Sequence, residues 1–230
     1  MAEIAALNHR AVAYTTTRPD VCDMVPAEAY DVLDVGCSNG ALGSSLKSRK
    51  SGRKVFGVEV DDAFAAEAKL HLDGVICADL NKLRWEELMP EMQFDCIVFA
   101  DVLEHLNNPA YHLLEAKQRL RAGGSIVISL PNIRHVSSFY SIFVSGTFPK
   151  RDRGIFDRTH LHWFTIKDAK KLLGSVGLRT CDLASTLRLG DRGGGIGNKV
   201  LIRFFSPLQR FFLIREFLTY QFCLRAEVIK

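Results

Sequence analysis

The sequence predicts an α/β fold built on a parallel sheet. Three observations carry that expectation: short β-rich apolar runs, helical patterns between them, and a spacing of roughly 20 to 30 residues from one run to the next. The 230 residues, 47% hydrophobic and 24% charged, suffice to bury the core of one large domain. No internal repeat, low-complexity tract or Pro-rich linker divides them. Residues 1–230 therefore read as a single domain, with a lead-in over 1–29 and insertions over 131–164 and 186–220.

Five strands are expected first, at Val32–Val35, Val55–Val60, Val75–Cys77, Cys96–Ala100 and Ile126–Leu130. Between the fourth and fifth, Asn108 caps and Pro109 opens a helix with Leu113, Leu114 and Leu120 on one face, and Gly123-Gly124 stops it. Thr165 caps another helix that places Ile166, Ala169, Leu173 and Val176 on one side and ends at Gly177. A sixth strand follows near Leu178–Leu183, and a last one spans Gln221–Ile229. In an open parallel sheet ligands sit at the carboxyl ends of the strands, so the residues just after each strand carry the functional weight.

Several function classes are excluded. Apolar runs such as Cys96–Ala100 and Ser125–Leu130 fall far below the roughly 20 residues that cross a bilayer. Met1–Arg10 carries Glu3 and only a short apolar stretch, unlike a secretory signal, so a cytoplasmic location is expected. The six cysteines form no C-x-x-C pair and read as reduced thiols, mostly in core strands, rather than as zinc ligands or disulfides. A net charge of +4 without a basic and aromatic run across the chain argues against nucleic acid.

The first strand ends in Asp31-Val-Leu-Asp-Val-Gly-Cys-Ser-Asn-Gly40. Small residues there let the backbone approach a ligand, and free N–H groups at the helix start favour a carboxylate. The G-x-G-x-x-G spacing of a dinucleotide site is missing. Asp34-Val-Gly-Cys-Ser-Asn-Gly40 instead resembles the nucleotide loop of class I S-adenosylmethionine-dependent methyltransferases, D/E-x-G-x-G-x-G, with Ser38 in place of the middle glycine. Glu59, at the end of Lys54–Val60, resembles the acidic residue that in this family grips the ribose hydroxyls, a task suited to a carboxylate. Cys77-Ala-Asp79-Leu80 is similar to the segment whose aspartate accepts from the adenine amino group. Phe94–Leu106 and Leu120–Ile128 resemble the fourth- and fifth-strand motifs, while 131–183 is more loosely similar to bacterial small-molecule O-methyltransferases.

The resemblance implies a Rossmann-like, seven-stranded, mostly parallel sheet with helices on both faces and the last strand antiparallel. It also implies S-adenosylmethionine as cofactor, S-adenosylhomocysteine as product, and a cofactor site of Asp34, Gly36, Cys37, Ser38, Gly40, Glu59, Val60, Asp79, Leu80, Ala100, Asp101 and Val102. Tyr14 and Arg18 would help cover it. Methyl transfer from a sulfonium is an in-line displacement that works by alignment and exclusion of water, so no metal is expected.

The acceptor would be a hydroxyl, or an amine, on a small molecule, sugar or lipid-linked metabolite, and a group titrating near neutrality would assist its deprotonation. His105, after the fourth strand, is the first choice for a base or orienting group, the alternative being packing on the next helix. His160 is the second, with His160 and His162 sharing a side if the segment is extended and one of them packing beside Trp163. His135 is a further residue that could face the acceptor, and His9, His71 and His112 are assigned to the surface. Thr186–Phe222 carries a charge of +4, the net charge of the whole chain, and is rich in phenylalanine. Its part 199–218 suits a lid, a homodimer face or an interfacial helix on anionic lipid, the plainer alternative being an insertion packed on the sheet. The alternatives to an enzyme of this kind are a non-catalytic S-adenosylmethionine-binding module, suggested by Ser38, and a nicotinamide-dependent oxidoreductase.

Overall fold

The computed structural model describes residues 16–89, 91–188 and 212–229. Strands β1 (Asp31–Val35), β2 (Lys54–Glu59), β3 (Gly74–Cys77), β4 (Phe94–Ala100), β5 (Leu120–Pro131), β6 (Leu178–Leu187) and β7 (Thr219–Val228) form one seven-stranded sheet in the order β3-β2-β1-β4-β5-β7-β6. β1 to β5 pair in parallel, as their βα spacing requires, and β7 is inserted antiparallel between β5 and β6. The strand order reverses between β1 and β4. A crevice opens at such a switch point beyond the carboxyl ends of the two strands, and it positions the site described below.

Three of the helices start where the sequence supplies an Asp, Asn or Thr cap. Asp61 accepts from the amides of Ala63 and Phe64 and opens a helix at Asp62–Ala68, Asn108 accepts from Tyr111 to open Pro109–Gln118, and Thr165 accepts from Asp168 to open Ile166–Ser175. In chain order the helices are α1 (Pro19–Cys22), α2 (Ala41–Arg49), α3 (Asp62–Ala68), α4 (Trp85–Leu88), α5 (Pro109–Gln118), α6 (Val136–Phe139), α7 (Ile166–Ser175) and α8 (Phe212–Leu218). The main core lies under one sheet face, where Phe94, Ile97 and Phe99 of β4 meet Trp85, Leu113, Ala169 and Leu173. A second core under the other face joins Val32, Val98 and Val127 to Val21, Leu42 and Leu46.

Several expectations need correction. α5 ends at Gln118, so Leu120 belongs to β5 and not to the helix face, and Leu114 is exposed while Leu113 is buried. Gly123, at φ 80°, lies inside β5, whose pairing with β4 jumps from Leu120 opposite Phe94 to Ser125 opposite Cys96. The glycine thus marks a bulge in a strand rather than a helix stop. All six cysteines are free, but only Cys96 and Cys223 are buried in strands; Cys22 lies in α1, Cys37 in a loop, and Cys77 and Cys181 are exposed. His71 is exposed as expected, whereas His9 lies outside the described residues.

His112 is not on the surface. It is buried on α5, and its Nδ1 accepts from the Trp85 indole N–H at 3.0 Å. Burial drives its pKa down to about 4, and a proton on Nδ1 would abolish the Trp85 bond. A folded-state pKa below the unfolded value contributes stability that is present above the ordinary histidine value and is lost as pH falls through about 4. Between pH 7 and pH 4, urea unfolding of the wild type is expected to lose on the order of 3 kcal/mol more than unfolding of His112→Gln. Equal losses in the two proteins would show that His112 does not set the acid limit.

Candidate active site

The site begins where β1 stops. Gly36 takes φ 74° and Gly40 takes φ 82°, and the latter starts α2. A side chain at Gly36 would put its Cβ 2.4 Å from Val102 Cγ2, so the turn closes on Val102 only with glycine there. Cys37 tucks its sulfur against Gly57 of β2, where an added Cβ would lie 2.4 Å from it. Ser38 holds φ 48° despite its side chain, and its buried hydroxyl has no partner. A left-handed conformation at a non-glycine residue costs roughly 1 to 2 kcal/mol, so something must hold this turn.

Glu59 does so. Its Oε2 accepts from the Ser38 amide at 2.8 Å, and its Oε1 accepts from the amides of Val60 and Asp61 at 2.8 and 2.9 Å. A carboxylate offers about four acceptor positions, so three are occupied and one is left open. Val60 beside it is an exposed apolar side chain. Asp79 accepts from the Asn81 amide and pairs with Lys82 at 3.1 Å, which ties the turn after β3, and Leu80 packs into the main core.

Asp34 is the exceptional group. It is buried at the end of β1, and neither carboxylate oxygen has a hydrogen-bond partner. Burial raises its pKa to about 7, with Glu59 adding to the rise and Arg18 opposing it. Across the crevice, Asp101 follows Ala100 at φ 59° and pairs with Arg18, which also donates to Ser129 Oγ at 2.7 Å. Gln221 of β7 donates to Asp101 as well. Arg18, Asp34, Gly36, Cys37, Ser38, Ala100 and Asp101 thus line one cleft, and three of them carry positive φ without being glycine. Such strain gathers at ligand sites. A larger cleft of about 380 Å³ on the outer side of α2, lined by Ser44, Ser48 and His71, holds no carboxylate and no comparable strain. Tyr14 lies outside the described residues.

Beyond Asp101 a 3-10 turn, Leu103–His105, carries a second constellation. Glu104 is buried with both carboxylate oxygens unpartnered. His105 stands edge-on to His160, with ring centroids 4.7 Å apart, and His160 Nε2 is 3.9 Å from Glu104 Oε1. Thr159 donates to Asp157 at 2.6 Å, so its hydroxyl oxygen and its carbonyl accept from His105 Nδ1 at 3.1 and 3.2 Å. The carbonyl of Ile155 accepts from His160 Nδ1 at 3.2 Å. Both rings are therefore fixed with Nε2 as the nitrogen bearing a lone pair. His162 Nε2 is taken by the carbonyl of Leu106, and Trp163 donates to that of Ile155. His135 is buried, caps α6 and contacts the carbonyl of Arg188, so it does not face the acceptor side freely.

Comparison with known proteins agrees with this geometry. A family model described as a methyltransferase domain matches residues 3–183. The chain belongs to that family. As a class I S-adenosylmethionine-dependent methyltransferase by family, it leaves the oxidoreductase alternative behind. It is 33% identical over 104 residues to the ubiquinone biosynthesis O-methyltransferase of Pseudomonas paraeruginosa, covering 44% of each chain. It is 34% identical over 119 residues to the mitochondrial enzyme of that name from Candida albicans, covering 49% of this chain and 36% of the relative. The chain thus spans less than half the length of these relatives. In fold it is similar to an S-adenosylmethionine-dependent methyltransferase from Archaeoglobus fulgidus, at TM-score 0.56 and 17% identity over 98% of this chain and 94% of that one. It is also similar to the magnesium protoporphyrin IX methyltransferase of Synechocystis PCC 6803 with bound S-adenosylhomocysteine, at TM-score 0.56 and 16% identity over 86% and 74%.

The residues fit this cofactor. Asp34 is an orphaned acceptor, suited to the ammonium of the methionine moiety, and the Gly36–Gly40 turn admits a close backbone approach. The sequence did not single out Glu104, Asp157, Thr159, Ser129 or Gln221. Glu104 could have been found, since it immediately precedes His105 in the fourth-strand motif; Gln221 could not, because only the β5–β7 register brings it to Asp101.

Linkage sets a testable sign at Asp34. With a folded pKa raised to about 7, the unliganded protein loses stability as pH rises from the ordinary carboxylate range through about 7, and a cation that binds the ionised form gains in proportion. Calorimetric titration with S-adenosylhomocysteine from pH 5.5 to 8 is expected to show affinity rising about thirtyfold, and Asp34→Asn to remove that rise. A wild-type affinity flat across this range would contradict the assignment.

Proposed function

We propose that this methyltransferase places the methyl group on a hydroxyl of a small, partly apolar acceptor, of the kind a phenol with a lipid tail presents. The observation that carries the reading is His105, which stands just past Asp101 of the cofactor cleft with Nδ1 held by Thr159 and Nε2 left to act on an acceptor proton. His160, locked beside it, fixes the ring and shares the acceptor side. Attack of the oxygen on the sulfonium methyl forms the C–O bond as the C–S bond breaks and S-adenosylhomocysteine leaves, with the hydroxyl proton passing to the protein side.

An apolar acceptor is supported by the surface beyond β5. Phe139, Tyr140, Phe143, Val144, Phe148 and Trp163 are all exposed, and Phe139 packs on Phe217 of α8. That cluster favours a lipid-linked acceptor and a peripheral contact with anionic lipid through 199–218, of which 199–211 lie outside the described residues. Among the described residues no helix is long and apolar enough to cross a membrane. Six unpaired thiols suit a reducing, cytoplasmic setting. The names of the ubiquinone O-methyltransferase relatives support oxygen over nitrogen as the acceptor atom.

Methyl-labelled S-adenosylmethionine and a panel of phenols and catechols, with and without prenyl tails, test the reading. Label is expected on oxygen, with tailed acceptors favoured. His105→Ala should lower kcat by about a hundredfold or more while KM for the cofactor and Tm stay near wild type. Label found only on nitrogen, or an unchanged kcat in the mutant, would count against it.

A further inference from the structure

A basic turn at 150–158, between α6 and α7, is tied by its own backbone. The Arg151 amide donates to the Phe156 carbonyl and the Arg158 amide to the Arg151 carbonyl, each at 2.9 Å, and the Asp157 amide donates to the Gly154 carbonyl at 3.0 Å. Ile155 and Phe156 are buried and pack with Tyr220 of β7 in a small core of their own. Gly154 takes φ 79°, and a Cβ there would lie 2.5 Å from the Tyr220 hydroxyl oxygen. The turn therefore closes on Tyr220 only with glycine at 154, and it sets the exposed Arg153 next to that contact.

Arg188, just past β6, reaches the same tyrosine. Its guanidinium carbon lies 4.6 Å from the Tyr220 ring centroid, and its carbonyl contacts His135 Nε2 at 2.8 Å. Burial raises the Tyr220 pKa while Arg188, Arg151 and Arg153 oppose that rise, so three guanidiniums stand within electrostatic reach of one phenolic oxygen. The neighbouring carboxylates are engaged elsewhere. Asp152 pairs with Arg158 and Glu216 with Arg134, both at 2.6 Å, and Asp157 accepts from the amide and hydroxyl of Thr159. Among the described residues none pairs with Arg153 or Arg188. Cations gathered at one point repel, and a dianion between them turns the repulsion into attraction. The planar fork of a guanidinium matches phosphate in particular, with two parallel N–H donors.

We infer that Arg153 and Arg188 form a phosphate-binding subsite beside Tyr220, and that the methyl acceptor carries a phosphate or diphosphate group that docks there. The inference names the acceptor class of the proposed O-methylation and rests on that reading. The subsite adjoins the acceptor side through Ile155, which follows Gly154 and whose carbonyl accepts from His160 Nδ1 at 3.2 Å and from the Trp163 indole at 3.1 Å. An apolar border is in place as well, since Phe148 packs edge-on against Phe156 and Trp163 with ring centroids 5.0 and 5.1 Å apart. The phosphate positions the acceptor and takes no part in the transfer itself. Arg153 is set by a closed turn on a buried core rather than by a loose tail, so little ordering is lost on binding.

Inorganic pyrophosphate is the probe, titrated by calorimetry at constant ionic strength into protein saturated with S-adenosylhomocysteine. One pyrophosphate is expected per chain, with Kd of about 1 mM or tighter. Arg153→Gln and Arg188→Gln should each weaken it at least about tenfold while Tm stays near wild type, and Arg179→Gln, opposite Glu227 at the far end of β7, should leave it unchanged. Hydroquinone monophosphate should be methylated with a KM at least about tenfold below that of hydroquinone, an advantage that both arginine variants remove. No stoichiometric pyrophosphate binding, binding undiminished in both variants, or equal KM for the two acceptors overturns the inference. Binding to phosphatidylglycerol vesicles through the two arginines, in protein that ignores pyrophosphate, overturns it too and assigns the pair to a lipid headgroup. Methylation of neither acceptor, in protein that binds pyrophosphate through Arg153 and Arg188, strikes instead at the O-methylation reading and leaves the anion subsite standing.

Discussion

The carboxylate of Glu59 gathers three backbone amides, from Ser38, Val60 and Asp61, and by doing so ties the end of β2 to the turn that follows β1. Hydrogen bonds to an ionised acceptor are worth roughly 1.5 to 3 kcal/mol each, comparable with the cost of holding Ser38 at positive φ. The geometry of the cleft follows from that tie. With the turn fixed, Gly36 closes on Val102, Cys37 seats against Gly57, and Asp34 is sealed below without a partner. A buried, unpartnered carboxylate is a poor stabiliser of a fold and a good receptor for a cation.

The far wall of the crevice is held by different means. Asp101, also at positive φ, is fixed by Arg18 from the lead-in and by Gln221 from the last strand. Segments from both ends of the chain thus meet at one residue at the β4 terminus. The insertion of β7 beside β5 makes this possible, since the antiparallel register sets Gln221 opposite Pro131 and leaves its amide within reach of Asp101. The fold spends its seventh strand on shaping the site as well as on completing the sheet.

Much of this was legible in the chain. Parallel strands buried on both faces read as continuous apolar runs, so β1, β2 and β4 were found nearly at their bounds, while β5 was read only over its buried half; capping residues Asn108 and Thr165 marked helix starts because their side chains satisfy amides that have no other partner. The loop residues around Asp34 were legible for a similar reason: glycine is required where the backbone turns left-handed. What was lost depends on tertiary contact. Leu120 keeps the helical spacing of Leu113 yet lies in a strand, and His112 is polar by type yet buried because Trp85 offers it a donor. Glu104 was passed over beside His105, since nothing local shows that its carboxylate faces His160, 56 residues on, without a partner.

The central claim is that the turn after β1 and the end of β2 form the cofactor cleft, and amide hydrogen exchange with and without saturating S-adenosylhomocysteine addresses it most directly. The account predicts slowing of at least about tenfold over 36–42 and 59–63, with the outer face of α2 around Ser44, Ser48 and His71 little changed. Slowing confined to that outer face, or no slowing in the turn at saturating ligand, would contradict it.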